Sequence, residues 1–112
     1  MDKEDIITSR KEYKEKIKEL AEDAIEEYEE ELKYNENVCL LEMADSFARD
    51  STLVSNVKLA HDVMKYSENQ DEVVVHSNLS QYIGWRQVIR SAAYYALRAD
   101  VLEYIRQQHY KL

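Results

Sequence analysis

Between Glu19 and Glu31 the chain carries eight acidic residues and no basic one. On a helix of 3.6 residues per turn, Glu12, Glu15, Glu19, Glu22, Asp23, Glu26, Glu29 and Glu30 share one face. Tyr13, Ile17, Leu20, Ala21, Ala24, Ile25 and Tyr28 make the opposite stripe. From Glu12 to Glu30 the row spans about 27 Å at about 1.5 Å per residue. Duplex DNA presents negative charge every few ångström along its axis. A rigid carboxylate row therefore has the dimensions to occupy a groove built for nucleic acid. The plainer reading is a solvated helix face, since Lys11, Lys16, Lys18 and Lys33 interrupt its ends. The residues expected to meet a partner are Glu19, Glu22, Asp23, Glu26, Glu27, Glu29 and Glu30, together with Tyr94 and Arg98 further along.

Catalytic chemistry finds little support. Gly84 is the only glycine, which excludes glycine-rich phosphate loops and the nucleophile elbow. Cys39 is the only cysteine, so multi-cysteine zinc sites and an internal disulfide are excluded. It lies in an apolar run and is expected to be a buried small hydrophobe. His61, His76 and His109 lack i,i+4 pairing and a glutamate three residues before them, so the di-iron pattern of helical bundles is absent. The His61-Asp62 pair resembles the adjacent ligands of metal-dependent phosphohydrolases, but no upstream histidine completes such a site. A packed or half-exposed His61 is the expectation. Cys39 with His61 as a nucleophile pair lacks anything to bring the two together or to supply an oxyanion site. No catalytic residue, cofactor or metal is expected.

Nine tyrosines form the other concentration of chemistry. Tyr28, Tyr34, Tyr66, Tyr94, Tyr95, Tyr104 and Tyr110 lie near expected helix ends or stripe borders. There they either seal the rim of a small core or supply contact area to a partner. Arg86 and Arg90, one turn apart, have the spacing to grip a carboxylate or phosphate. Solvated or internal pairing is the plainer role.

The elements that must position these residues are helices. With no proline and a single glycine, sheets and their tight turns are disfavoured. Residues 1–8 are expected to fray. Ser9 and Glu12 fit a capping box, which starts a helix near Arg10 that runs to about Tyr34. Asn35, Glu36 and Asn37 break it, and Asn37 is placed to cap a second helix over about 38–49, with Leu40, Leu41, Ala44, Phe47 and Ala48 on one face. A third covers about 53–66, with Leu53, Val57, Ala60 and Met64 as its stripe. After a polar connection, Val73, Val74 and Val75 are too short to form a sheet and read as an extended segment over the core. Asn78 and Gln81 mark the start of the central helix.

Residues 82–99 are expected to organise the rest. Tyr82, Trp85, Val88, Ile89, Ala92, Ala93, Ala96 and Ala99 share a broad face. The alanines admit a close neighbour, and Trp85 and Ile89 supply volume. Near Asp100 the apolar phase changes, because Leu102, Tyr104 and Ile105 fall on the formerly polar side. This predicts a kink or a new short helix. An unbroken helix buried on all sides is the alternative.

A chain of 112 residues with 45% apolar content predicts one helical domain over residues 1–112. The expected fold is an all-α bundle of about four main helices plus a short C-terminal one. Net charge is −8, and it splits: residues 1–36 hold 14 acids and 7 bases, residues 77–112 hold 2 and 5. The simplest use of that split sets the acidic first helix beside the basic last third. Direct nucleic-acid binding is disfavoured by a pI of about 4.9, and basic protein surfaces are the favoured partners. No signal peptide or membrane span is read, so a cytoplasmic protein is expected. In composition alone the chain looks like the small acidic inhibitors encoded by phages or mobile elements. Some of those block nucleic-acid-binding defence proteins by mimicking DNA charge. That resemblance implies a non-enzymatic binding module. A homo-oligomeric accessory subunit burying Tyr94, Tyr95 and Val73–Val75, and a hydrolase using His61 and Asp62, are the alternatives.

Overall fold

The computed structural model describes residues 7–69 and 84–112, and all regular structure among them is helical. Five helices follow in order: α1 Arg10–Leu32, α2 Leu40–Asp50, α3 Thr52–Ser55, α4 Val57–Tyr66 and α5 Trp85–Gln107. The all-α bundle with four main helices is as expected. The fifth, short helix is the single turn α3 and not a C-terminal one. The expectations for Val73–Val75, His76, Asn78, Gln81 and Tyr82 lie outside the described residues.

Local signals explain most boundaries. Ser9 caps α1, its hydroxyl accepting from the Glu12 backbone N–H at 3.1 Å. The Glu12 carboxylate reaches back one residue further than a capping box requires, to the backbone N–H and hydroxyl of Thr8. Asn37 does not cap α2. Its N–H bonds the Asn35 side chain at 3.0 Å in a local turn, and Cys39 holds the cap position without a side-chain bond. The expected third helix is divided. Ser51 caps α3 through the Leu53 N–H, and Asn56 caps α4 through the Lys58 and Leu59 N–H groups. An asparagine oxygen competes well for such free amides, so the chain restarts at Asn56 instead of running through. Ile7 and Thr8, expected to fray, are both held in place. Ile7 is 3% exposed, and its N–H donates to the Asp62 carboxylate at 3.3 Å.

Helix α5 packs against α1, α2, α3 and α4. Val88, Ala92, Ala93, Ala96, Leu97, Asp100, Val101, Leu102 and Ile105 are all buried. Successive positions at about 100° per residue carry that set around the whole helix circumference, which is the pattern of a helix enclosed by others. The phase change at Asp100 is therefore met without a break. One helix runs through it, and different neighbours cover different sides. The expected restart is absent, and the unbroken helix named as the alternative is what forms.

The expected volume at the start of this helix is also misplaced. Trp85 is 64% exposed and Ile89 only partly buried. The largest fully buried side chains are Leu97, Val101 and Ile105, two or more turns further along, and Val63 on α4. Fully or almost fully buried alanines (Ala21, Ala24, Ala44, Ala48, Ala60, Ala93 and Ala96) lie on α1, α2, α4 and α5. Small residues on each face let five helices share one core cluster. The last helix closes with His109 at φ 68°, where the Tyr110 N–H reaches the Ile105 carbonyl and the His109 N–H the Arg106 carbonyl. These two bonds make a Schellman stop.

Candidate functional site

The core contacts of α1 decide which way its charges point. Tyr13, Ile17, Ala21 and Ala24 are buried, so the opposite face looks outward. Glu19, Glu22, Asp23, Glu26, Glu27, Glu29, Glu30 and Glu31 are all exposed. Cations touch only the margins of this row. Lys18 Nζ lies 4.0 Å from Glu22, and Lys33 Nζ 3.1 Å from Glu30. Among the described residues, Glu19, Asp23, Glu26 and Glu27 have no cation within ion-pair distance.

The acidic first helix lies beside the basic last third as expected, but among the described residues no ion pair joins the two. Helices α1 and α5 do pack together, but tyrosines make the polar contacts at the border of the row. The Tyr104 hydroxyl donates to Glu22 at 3.3 Å, and the Tyr110 hydroxyl to Glu29 at 2.6 Å. The bond to Glu29 holds the Tyr110 phenol above its usual pKa. Such neutral bonds leave the negative charge of the row intact.

Tyr94 and Arg98 belong to a separate cluster. Arg98 Nε lies 2.9 Å from Asp45 Oδ1, and the Tyr94 hydroxyl donates to the same oxygen. Arg49 takes the other oxygen at 2.5 Å, and its guanidinium carbon sits 5.8 Å from the centre of the Tyr94 ring. Burial first, then the Asp45 hydrogen bond, raises the Tyr94 pKa. The shallow cleft lined by these side chains includes Leu41 and Glu42 and no residue of α1. Asp45 thus ties α2 to α5, and the structure does not join Tyr94 and Arg98 to the carboxylate row.

A buried polar hub went unread in the sequence. Asp100, 9% exposed, accepts from the Tyr13 hydroxyl at 2.5 Å, the Ser67 hydroxyl at 2.7 Å and the Asn69 amide at 2.5 Å. Asn69 also donates to Glu103 at 3.2 Å. These bonds join α1, the turn after α4, and α5. Burial and the neighbouring Asp100 charge push the Tyr13 phenol far above its ordinary value. The available signal was an acid flanked by Ala99, Val101 and Leu102, which spacing alone presents as a helix cap.

His61 is exposed on α4, and Asp62 accepts the bond from Ile7 described above. No group of three or more His, Cys, Asp or Glu among the described residues is placed to hold a metal ion. Cys39 is exposed, contrary to expectation. It stands one residue before α2, whose buried stripe begins at Leu40. Among the described residues no helix is long and apolar enough to cross a membrane. Comparison with protein-family models, with curated proteins and with solved structures found no match.

Proposed function

We propose that this chain is a non-enzymatic binding module that docks the outer face of α1 onto a basic surface of another protein, in the place of a nucleic-acid backbone. One observation carries the reading: a continuous, outward-facing carboxylate row in which Glu19, Asp23, Glu26 and Glu27 have no cation within ion-pair distance among the described residues. Exposed like charges on one helix face repel one another, and a basic partner relieves that repulsion. Eight carboxylates from Glu12 to Glu30 over about 27 Å recur about every 4 Å. One DNA strand presents a phosphate about every 3.4 Å. A protein surface that tracks phosphates is therefore the partner best matched in spacing.

The test reverses Glu22, Asp23, Glu26 and Glu30 to lysine. All four are exposed, so the variant should keep its circular dichroism spectrum. Wild-type and variant chains are each immobilised and offered proteins eluted from duplex DNA by salt. The wild type is expected to retain a protein that the variant leaves in solution. Equal retention by a folded variant would refute the charge-row reading.

A further inference from the structure

A groove of about 660 Å³ runs between α1 and the C-terminal half of α5. Tyr13, Ile17, Tyr66, Asp100, Glu103 and Tyr104 are among its lining residues. Its size falls in the range of small-ligand sites, which combine an apolar lining with a few fixed polar groups. Charge within it is unevenly satisfied. At the rim, Arg10 and Lys14 lie 3.7 and 3.5 Å from Glu68, and Lys18 lies 4.0 Å from Glu22. Asp100 and Glu103 have no cation within ion-pair distance among the described residues. Among the described residues, Asp100 receives only neutral donors, and Glu103 only the Asn69 amide.

Of the two, Asp100 is withdrawn from water, and a buried carboxylate gains most from a charged donor, while Glu103 is exposed beside it. Tyrosine rings attract cations as well, and Tyr66 already holds the Lys65 ammonium 5.3 Å from its ring centre. We propose that the groove binds a guanidinium group, seated against Tyr104 and hydrogen-bonded to Glu103 and to Asp100 Oδ1, which accepts one bond where Oδ2 accepts two. A planar guanidinium has five fixed donors and an aromatic-compatible face, so it fits this lining better than a compact ammonium does. It belongs either to a small molecule or to an arginine side chain of another protein. None of the four residues reversed in the α1 test lines the groove, and although Glu22 touches its rim through Tyr104 and Lys18, the groove test leaves Glu22 unchanged, so the two readings fail separately.

The experiment is a titration of the ¹⁵N-labelled full chain, followed by amide NMR shifts. The probes are N-acetyl-arginine amide and N-acetyl-citrulline amide, which share a shape and differ in charge. The arginine probe is expected to give saturable shifts at the amides of Tyr13, Asp100, Glu103 and Tyr104, and the citrulline probe none. Glu103→Gln should weaken binding at least tenfold. Glu103 is exposed, so this variant keeps the fold. Tyr104→Leu, which removes the ring and no charge, should also weaken it. A peptide with one arginine among alanines that binds more tightly than the amide assigns the group to a partner's side chain. Equal or weaker binding assigns it to a free molecule. No saturable shift with the arginine probe, equal response to the citrulline probe, or unchanged affinity in Glu103→Gln overturns the proposal.

Discussion

Replacing Tyr13 by Phe removes one hydroxyl and leaves the ring in place, which isolates its bond to Asp100. The buried carboxylate then loses a donor, and the expected cost is about 1–3 kcal/mol in urea unfolding. The pH dependence has a definite sign. The folded-state pKa of Tyr13 lies above its ordinary value of 10.0, so the unfolded chain releases this proton first as pH rises. The contribution of the neutral phenol is complete below about pH 10 and declines above it. Wild type should therefore lose stability more steeply above pH 10 than Tyr13→Phe does, as read from denaturation midpoints at successive pH values. Parallel curves would show that Tyr13 does not govern alkaline stability. At the other end of α5, His109 occupies a left-handed position that glycine adopts without strain. His109→Gly should raise stability by about 0.5–1 kcal/mol, and a lowered melting temperature would argue against the Schellman geometry.

At the scale of elements, the enclosed helix α5 predicts a gradient of mutational cost. Leu97→Ala, at a fully buried position, should cost about 2–5 kcal/mol. Trp85→Ala, at an exposed position, should change stability by about 0.5 kcal/mol or less. Comparable losses from both would place the core further toward the start of the helix than the structure does. This gradient also marks where sequence reasoning reaches. The helical class, the Ser9 cap and the orientation of α1 were legible, because each depends on local spacing. The centre of the core was not. A stripe identifies which side of a helix is buried against one neighbour, whereas the buried side of α5 moves around the helix along its length. The apparent phase break at Asp100 is the trace of that movement. The division at Asn56 was missed for another reason: apolar spacing continued through it, and only the side-chain capping bonds reveal the restart. In the candidate site, the carboxylate row was visible as a helix face. The Asp100 hub and the Asp45 cluster join residues far apart in sequence, so no periodicity could announce them.

At the scale of the molecule, folding leaves the division of charge in place among the described residues. The acidic face of α1 looks away from the core, and Arg98 is held by Asp45 on another helix. The exposed row should thus behave as a surface electrode, and its complex with a basic protein should weaken steeply with salt. Screening acts over about 8–10 Å at physiological ionic strength, so the effect on exposed charges is large. The most direct measurement is a displacement titration. The protein captured by the wild-type chain is first bound to a fluorescent duplex, and the chain is then added while anisotropy is followed. The proposed role predicts that wild type releases the duplex, with less effect at higher salt, and that the folded Glu22, Asp23, Glu26 and Glu30 to lysine variant releases none. A ternary complex in which the chain and the duplex are bound together, or equal release by the reversed variant, would contradict it.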